Sequence, residues 1–154
     1  MTTENILNYR QVDEHLLTGG QPTEQQLRAA ADEGVRAVIN LAPHGARNAP
    51  EDEAGLVGAL GMRYFHIPVP WDNPTERDFA AFEQAMRERG DAKTLIHCQA
   101  NFRVTAFYSL YALKHLGWSL PQAEAFRASI WAGSDYPLWE RFIDQMQGAI
   151  IGQS

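Results

Sequence analysis

Three short apolar runs punctuate the chain: VRAVINL at 35–41, MRYFHIPV at 62–69 and TLIHC at 94–98. Each is rich in β-branched or aromatic residues and too short for a helix, so each predicts a buried strand. A more polar stretch at 9–18, YRQVDEHLLT, predicts one or two opening strands, closed by Gly19, Gly20 and Pro22. Helical spacing fills the gaps. Thr23 can cap a helix whose Leu27, Ala30 and Ala31 share a face and which Gly34 ends. A short helix is expected from about Glu51 to Leu60, stopped by Gly61. A longer one runs from the Thr75 cap to about Arg89, with Phe79, Phe82 and Met86 on its apolar face and Gly90 beyond it. Downstream, a helix opens near Phe102 or Arg103 and reaches His115. Two more follow Pro121 and Pro137, the last with a stripe of Trp139, Phe142, Ile143 and Met146.

Strands alternating with helices predict an α/β fold with a central, mostly parallel sheet flanked by helices. There are no repeats, low-complexity tracts or linker-like stretches, so residues 1–154 read as a single domain with its core at roughly 6–147. Ligands of such sheets bind at the carboxyl ends of the strands. Loops 42–49, 70–74 and 98–103 sit at such ends and are where chemistry is expected.

The third of these loops carries it. Residues 97–105 read HCQANFRVT, so Cys98 ends a strand and Arg103 opens a helix. Unpaired amides at a helix start, extended by a tight loop, make an anion site. The same field favours a thiolate. Arg103 can then hold two oxygens of a phosphate through its planar fork, with Gln99, Ala100, Asn101 and Phe102 supplying the cradle. Cys98 is the only cysteine, which excludes an internal disulfide and a cysteine-rich metal site. A metal site at His97 and Cys98 is disfavoured, because no other histidine or cysteine shows ligand spacing. His97 either orients the loop and supports the thiolate or is a buried strand histidine with a satisfied ring. Thr105 is expected to bond its own helix backbone rather than the thiolate.

Transfer of a phosphoryl group to a thiolate also needs an acid for the leaving oxygen. Asp72, in PWDNP at 70–74, is the candidate, with Trp71 as the pivot of its loop. The preceding strand is expected to lie beside the cysteine strand and so bring Asp72 to it. Asp78 and Glu76 are reserves, although both suit the first turn of a helix. His44 and Arg47 either select outer groups of a substrate or are solvated. Trp131, Tyr136 and Trp139 read as packing residues. The net charge of −6 argues against nucleic-acid and membrane partners. The opening MTTENILNYR lacks a basic start and an apolar stretch, so a cytoplasmic location is expected.

A histidine–cysteine pair, a short loop and an arginine between strand and helix, with an aspartate loop upstream, resemble the cysteine-based protein tyrosine phosphatases. The small size is similar to the dual-specificity branch. TGGQPT at 18–23 and VINL at 38–41 resemble a bacterial subgroup related to the phosphatase-like domain of beta-lactamase hydrolase-like proteins. The resemblance implies a phosphoric monoester hydrolase acting through a phosphocysteine, with Cys98 as nucleophile, Arg103 binding phosphate and Asp72 as acid and then base. It implies a phosphorylated protein or small phosphate monoester as substrate, and no metal or organic cofactor. The loop departs from the common pattern in being one residue shorter, in lacking glycines and in having Val104 after the arginine. Asn101 is the residue best able to replace a loop glycine. Two other functions fit the same loop: a rhodanese-like sulfurtransferase, and a catalytically silent phosphate-binding module.

Overall fold

Leu16, Ile39 and Ile96 face one side of a sheet, and their neighbours Leu17, Val38 and Leu95 face the other. Both sides of these strands are apolar, as in a parallel sheet covered on both faces. The computed structural model describes residues 2–152. Its five strands are β1 (Arg10–Asp13), β2 (Leu16–Gly19), β3 (Ala37–Asn40), β4 (Arg63–His66) and β5 (Thr94–His97), in the spatial order β1-β2-β5-β3-β4. Only β1 runs antiparallel to its neighbour. The fold is thus the expected α/β one with a mostly parallel sheet.

Among the described residues, six helices cover the sheet: α1 (Glu24–Asp32), α2 (Glu53–Ala59), α3 (Glu76–Glu88), α4 (Phe102–His115), α5 (Leu120–Ala128) and α6 (Pro137–Gly152). Leu27 of α1 and Val57 of α2 close one face. Phe82 of α3, Phe107 of α4 and Trp139 of α6 close the other, with α5 packed on α4. Each fully buried large side chain here contributes about 1.5–3 kcal/mol. Thr23 and Thr75 cap α1 and α3 as expected, in reciprocal boxes with Gln26 and Asp78. Ser119 does the same for α5 with Gln122, so that helix starts at Leu120, one residue before Pro121.

One expectation is corrected. β4 is an edge strand, and β3 stands between it and β5, so the strand before Asp72 does not adjoin the cysteine strand. The chain steps outward from β3 to β4, crosses back through α3 and inserts β5 between β2 and β3. The segment after β4 nevertheless returns toward the centre. It runs beside the end of β3, where the Ile67 and Val69 amides donate to Asn40 O and Leu41 O at 2.9 and 3.0 Å.

Candidate active site

β5 delivers Cys98 to the carboxyl edge of the sheet, where it is 1% exposed. The loop that follows is laced to the segment after β2. The Cys98 amide donates to Gly19 O at 3.3 Å, and the Gln21 amide to Gln99 O at 3.0 Å. This close approach explains Gly20. A Cβ there would lie 2.6 Å from the Gln99 carbonyl oxygen and 3.1 Å from Ala100 Cα, which no side chain tolerates. Asn101 takes the left-handed conformation, at φ 69°, and so performs the turn expected of it. Its side-chain amide donates to Asn8 O at 2.8 Å and to Thr18 Oγ1 at 3.1 Å, which offsets the backbone cost. Thr105 donates its hydroxyl to Asn101 O and Phe102 O and accepts from Trp131 Nε1, so that hydroxyl serves the helix start, as expected.

Arg103, 8% exposed, lies in the first turn of α4. One arm is fixed: Nη1 donates to Val69 O at 2.9 Å. The guanidinium carbon lies 5.8 Å from the centre of the Trp71 ring. Nε is buried and has no hydrogen-bond partner among the described residues. A buried charged donor left open in this way suits an anionic ligand. Val69 belongs to the segment returning from β4, so that segment reaches the site through Arg103.

A cavity of about 320 Å³ opens here, lined by Trp71, Cys98, Gln99, Ala100, Phe102, Arg103 and Tyr136. Cys98, the Arg103 cation and the loop thus share one hollow. Its aromatic wall is built from three separate segments. Phe102 stacks on Trp131 at 5.1 Å and 4°, and Trp71 meets Tyr136 edge-on at 5.2 Å. Trp139 stacks beneath Trp71 and donates from Nε1 to its carbonyl oxygen at 2.7 Å. Trp131 and Trp139 therefore pack as expected, whereas Tyr136 reaches the cavity.

The remaining candidates divide. Asp72 is exposed in a turn closed by the Asn73 amide on Pro70 O at 3.3 Å, next to the wall residue Trp71 but outside the cavity lining. Asp78 is tied into the α3 cap, where it accepts from the Thr75 amide and hydroxyl. His44 rests against His66, 4.5 Å between ring centres, away from the cavity. Arg47 touches the loop by its backbone: its amide donates to Gln99 Oε1 at 2.7 Å. His97 is completely buried with Nε2 2.6 Å from Glu53 Oε2, and Gln21 Nε2 donates to Glu53 Oε1 at 2.8 Å. Burial pushes the Glu53 carboxyl up, but the bond and charge of His97, with the bond from Gln21, outweigh it and hold the group below its ordinary value. Sequence reasoning missed Glu53. It stands in an acidic run, Glu51-Asp52-Glu53, of which only its side chain is buried.

Residues 8–125 match the family model of the beta-lactamase hydrolase-like protein, phosphatase-like domain. The chain belongs to this family. Among curated relatives, the beta-lactamase hydrolase-like protein of Xylella fastidiosa (strain Temecula1) is 32% identical over 102 residues. That match takes in 64% of the present chain but only 23% of the relative, so the matched part spans less than a quarter of that relative's length. Among solved structures, a DUF442 phosphatase of Shewanella putrefaciens CN-32 is 34% identical, with a TM-score of 0.86 over 95% of this chain and 92% of that one. TpbA of P. aeruginosa, 16% identical, shares the fold with a TM-score of 0.73 over 95% and 90% of the two chains. The architecture is that of the protein tyrosine phosphatase-like fold. Family and neighbours together support a phosphatase function. Among the described residues, no helix is long and apolar enough to cross a membrane.

Proposed function

We propose that the phosphatase-like domain hydrolyses phosphate monoesters through a phosphocysteine on Cys98. The observation that carries this reading is the shared cavity, in which Cys98 lines the same hollow as an Arg103 guanidinium whose Nε has no acceptor among the described residues. The phosphoryl group sits on the loop amides and the free side of the Arg103 fork. The Cys98 thiolate attacks phosphorus, the phosphorus–oxygen bond to the leaving group breaks, and Asp72 gives its proton to the departing oxygen. In the second step, Asp72 takes a proton from water as that water attacks phosphorus. The sulfur–phosphorus bond then breaks, and inorganic phosphate and the thiolate are released. Asp72 must swing in from its exposed turn, and Trp71, anchored on Trp139, is the hinge side of that movement.

Trp71, Phe102 and Tyr136 offer flat apolar faces to whatever bears the phosphate, and among the described residues Arg103 is the one cation in the lining. This wall suits a monoester of an aromatic or apolar alcohol and gives no grip on a highly phosphorylated one. The test is release of p-nitrophenol from its phosphate ester, metal-free and with reductant, for the wild type beside Cys98→Ser. Turnover in the wild type alone supports the mechanism. Retained activity in Cys98→Ser removes the covalent step. Inactivity in both, with sulfur transfer from thiosulfate to cyanide, replaces the phosphatase reading with a sulfurtransferase. Silence in both assays, with phosphate still bound, leaves a binding module.

A further inference from the structure

A carboxylate is rarely drawn into a protein interior without a partner that needs it, because burial of its charge is costly. Glu53, the first residue of α2, is 8% exposed, and its carboxylate meets the ring of His97, the residue before the nucleophile. Its surroundings are committed to it. Gln21 spends its amide on Glu53 and on Pro22 O, and leaves its own carbonyl oxygen buried with no partner among the described residues. Such an orphan is tolerated where the arrangement gains something else. Tyr64 faces the same carboxylate while its hydroxyl accepts from Asn40 Nδ2 at 3.0 Å, and that phenol is pushed up to about 12, chiefly by burial. The other nitrogen of His97, Nδ1, lies 3.4 Å from the carbonyl oxygen of Cys98 itself. Both ring nitrogens therefore face oxygen, an arrangement that a ring carrying both protons satisfies on both sides.

We propose that Glu53 is a positioning residue for the nucleophile: through its bond to the His97 ring it fixes the start of the anion loop and favours the Cys98 thiolate over the thiol. This rests on reading Cys98 as the nucleophile of a phosphatase. A ring held between Glu53 and the Cys98 carbonyl fixes the backbone behind the cysteine, while the helix start and Arg103 line its other side. Without Glu53, that ring would lose its buried hydrogen-bond partner in a dry interior. The other groups facing Glu53 are His66 and Tyr64 from β4, while Glu51 and Asp52 of its own segment are exposed. Arg103 lines the same cavity as Cys98.

Cys98 is the only cysteine, so the rate of iodoacetamide alkylation against pH reports its ionisation alone, without need of turnover. The full chain is compared with Glu53→Gln, which keeps shape and a hydrogen-bond acceptor but removes the charge. The expected result is an alkylation midpoint raised by about one pH unit, a tenfold loss of thiolate. In a His97→Gln background, Glu53→Gln should move the midpoint no further. A midpoint unmoved by Glu53→Gln in a folded protein overturns the proposal, as does an equal shift in both backgrounds. If Glu53→Gln does not fold, Gln21→Met, which frees the carboxylate on one side, must raise the midpoint; no shift there also overturns it. p-Nitrophenyl phosphate hydrolysis by the same wild-type sample separates the two readings. A shifted midpoint without hydrolysis sinks the phosphatase and leaves the hold of Glu53 on the thiolate. Hydrolysis with an unshifted midpoint does the reverse.

Discussion

Replacing Arg103 by lysine separates a charge from a fork. In the structure the guanidinium serves two directions at once: Nη1 is held by Val69 O at 2.9 Å, and Nε, on a residue only 8% exposed, has no partner among the described residues. A lysine ammonium at the end of a flexible stem can meet the Val69 carbonyl or the phosphate, but it cannot present two parallel donors to the phosphate while anchored. One charge-assisted hydrogen bond lost from the transition state is worth about 1.5–3 kcal/mol. At about 1.36 kcal/mol per decade, kcat/KM for p-nitrophenyl phosphate should fall roughly 10- to 150-fold. The same substitution forfeits the contact with Trp71, at 5.8 Å from the ring, so thermal stability should drop by about 1 kcal/mol. The assay is steady-state hydrolysis with stability followed by thermal melting. If a folded Arg103→Lys protein keeps kcat/KM within about twofold of wild type, the bidentate role is wrong, and Arg103 is then a structural tie between α4 and the segment at Val69.

Asp72→Asn should slow alkyl phosphates by roughly 100-fold and aryl phosphates with good leaving groups far less; equal slowing of both would move the acid elsewhere. Gly20→Ala places a Cβ 2.6 Å from the Gln99 carbonyl oxygen, so the loop must shift. Stability should fall by about 1–3 kcal/mol and kcat/KM by at least about tenfold, and normal values of both would show that the loop can give way. Burial pushes Glu83 up, but bonds from His115 and Lys114 outweigh it and hold this carboxyl below its ordinary 4.5. Because the folded value is depressed, the stability it contributes is complete above that ordinary value and is lost as pH falls through the folded one. Urea midpoints should therefore fall less steeply on acidification in Glu83→Gln than in wild type, and identical slopes would show that the pair is silent.

How much of this was legible beforehand depended on distance along the chain. Strand runs, helix caps and glycine stops are local, and the elements they predict are present, with ends shifted by a few residues. Cys98, Asn101 and Arg103 were legible because one strand–loop–helix passage carries all three, so backbone geometry alone places them together. Tertiary structure decided the rest. The order β1-β2-β5-β3-β4, which keeps β4 from β5, follows from how crossovers cover both faces of the sheet. No spacing rule reports that. The wall of Trp71, Phe102 and Tyr136 draws on three distant segments. The pairing of Glu53 with His97, 44 residues apart, is visible only once α2 is folded against the sheet. In the sequence, Glu53 is one acid among three in a row. Burial singles it out, because the folded chain sets this carboxylate against the buried His97 ring while Glu51 and Asp52 stay exposed.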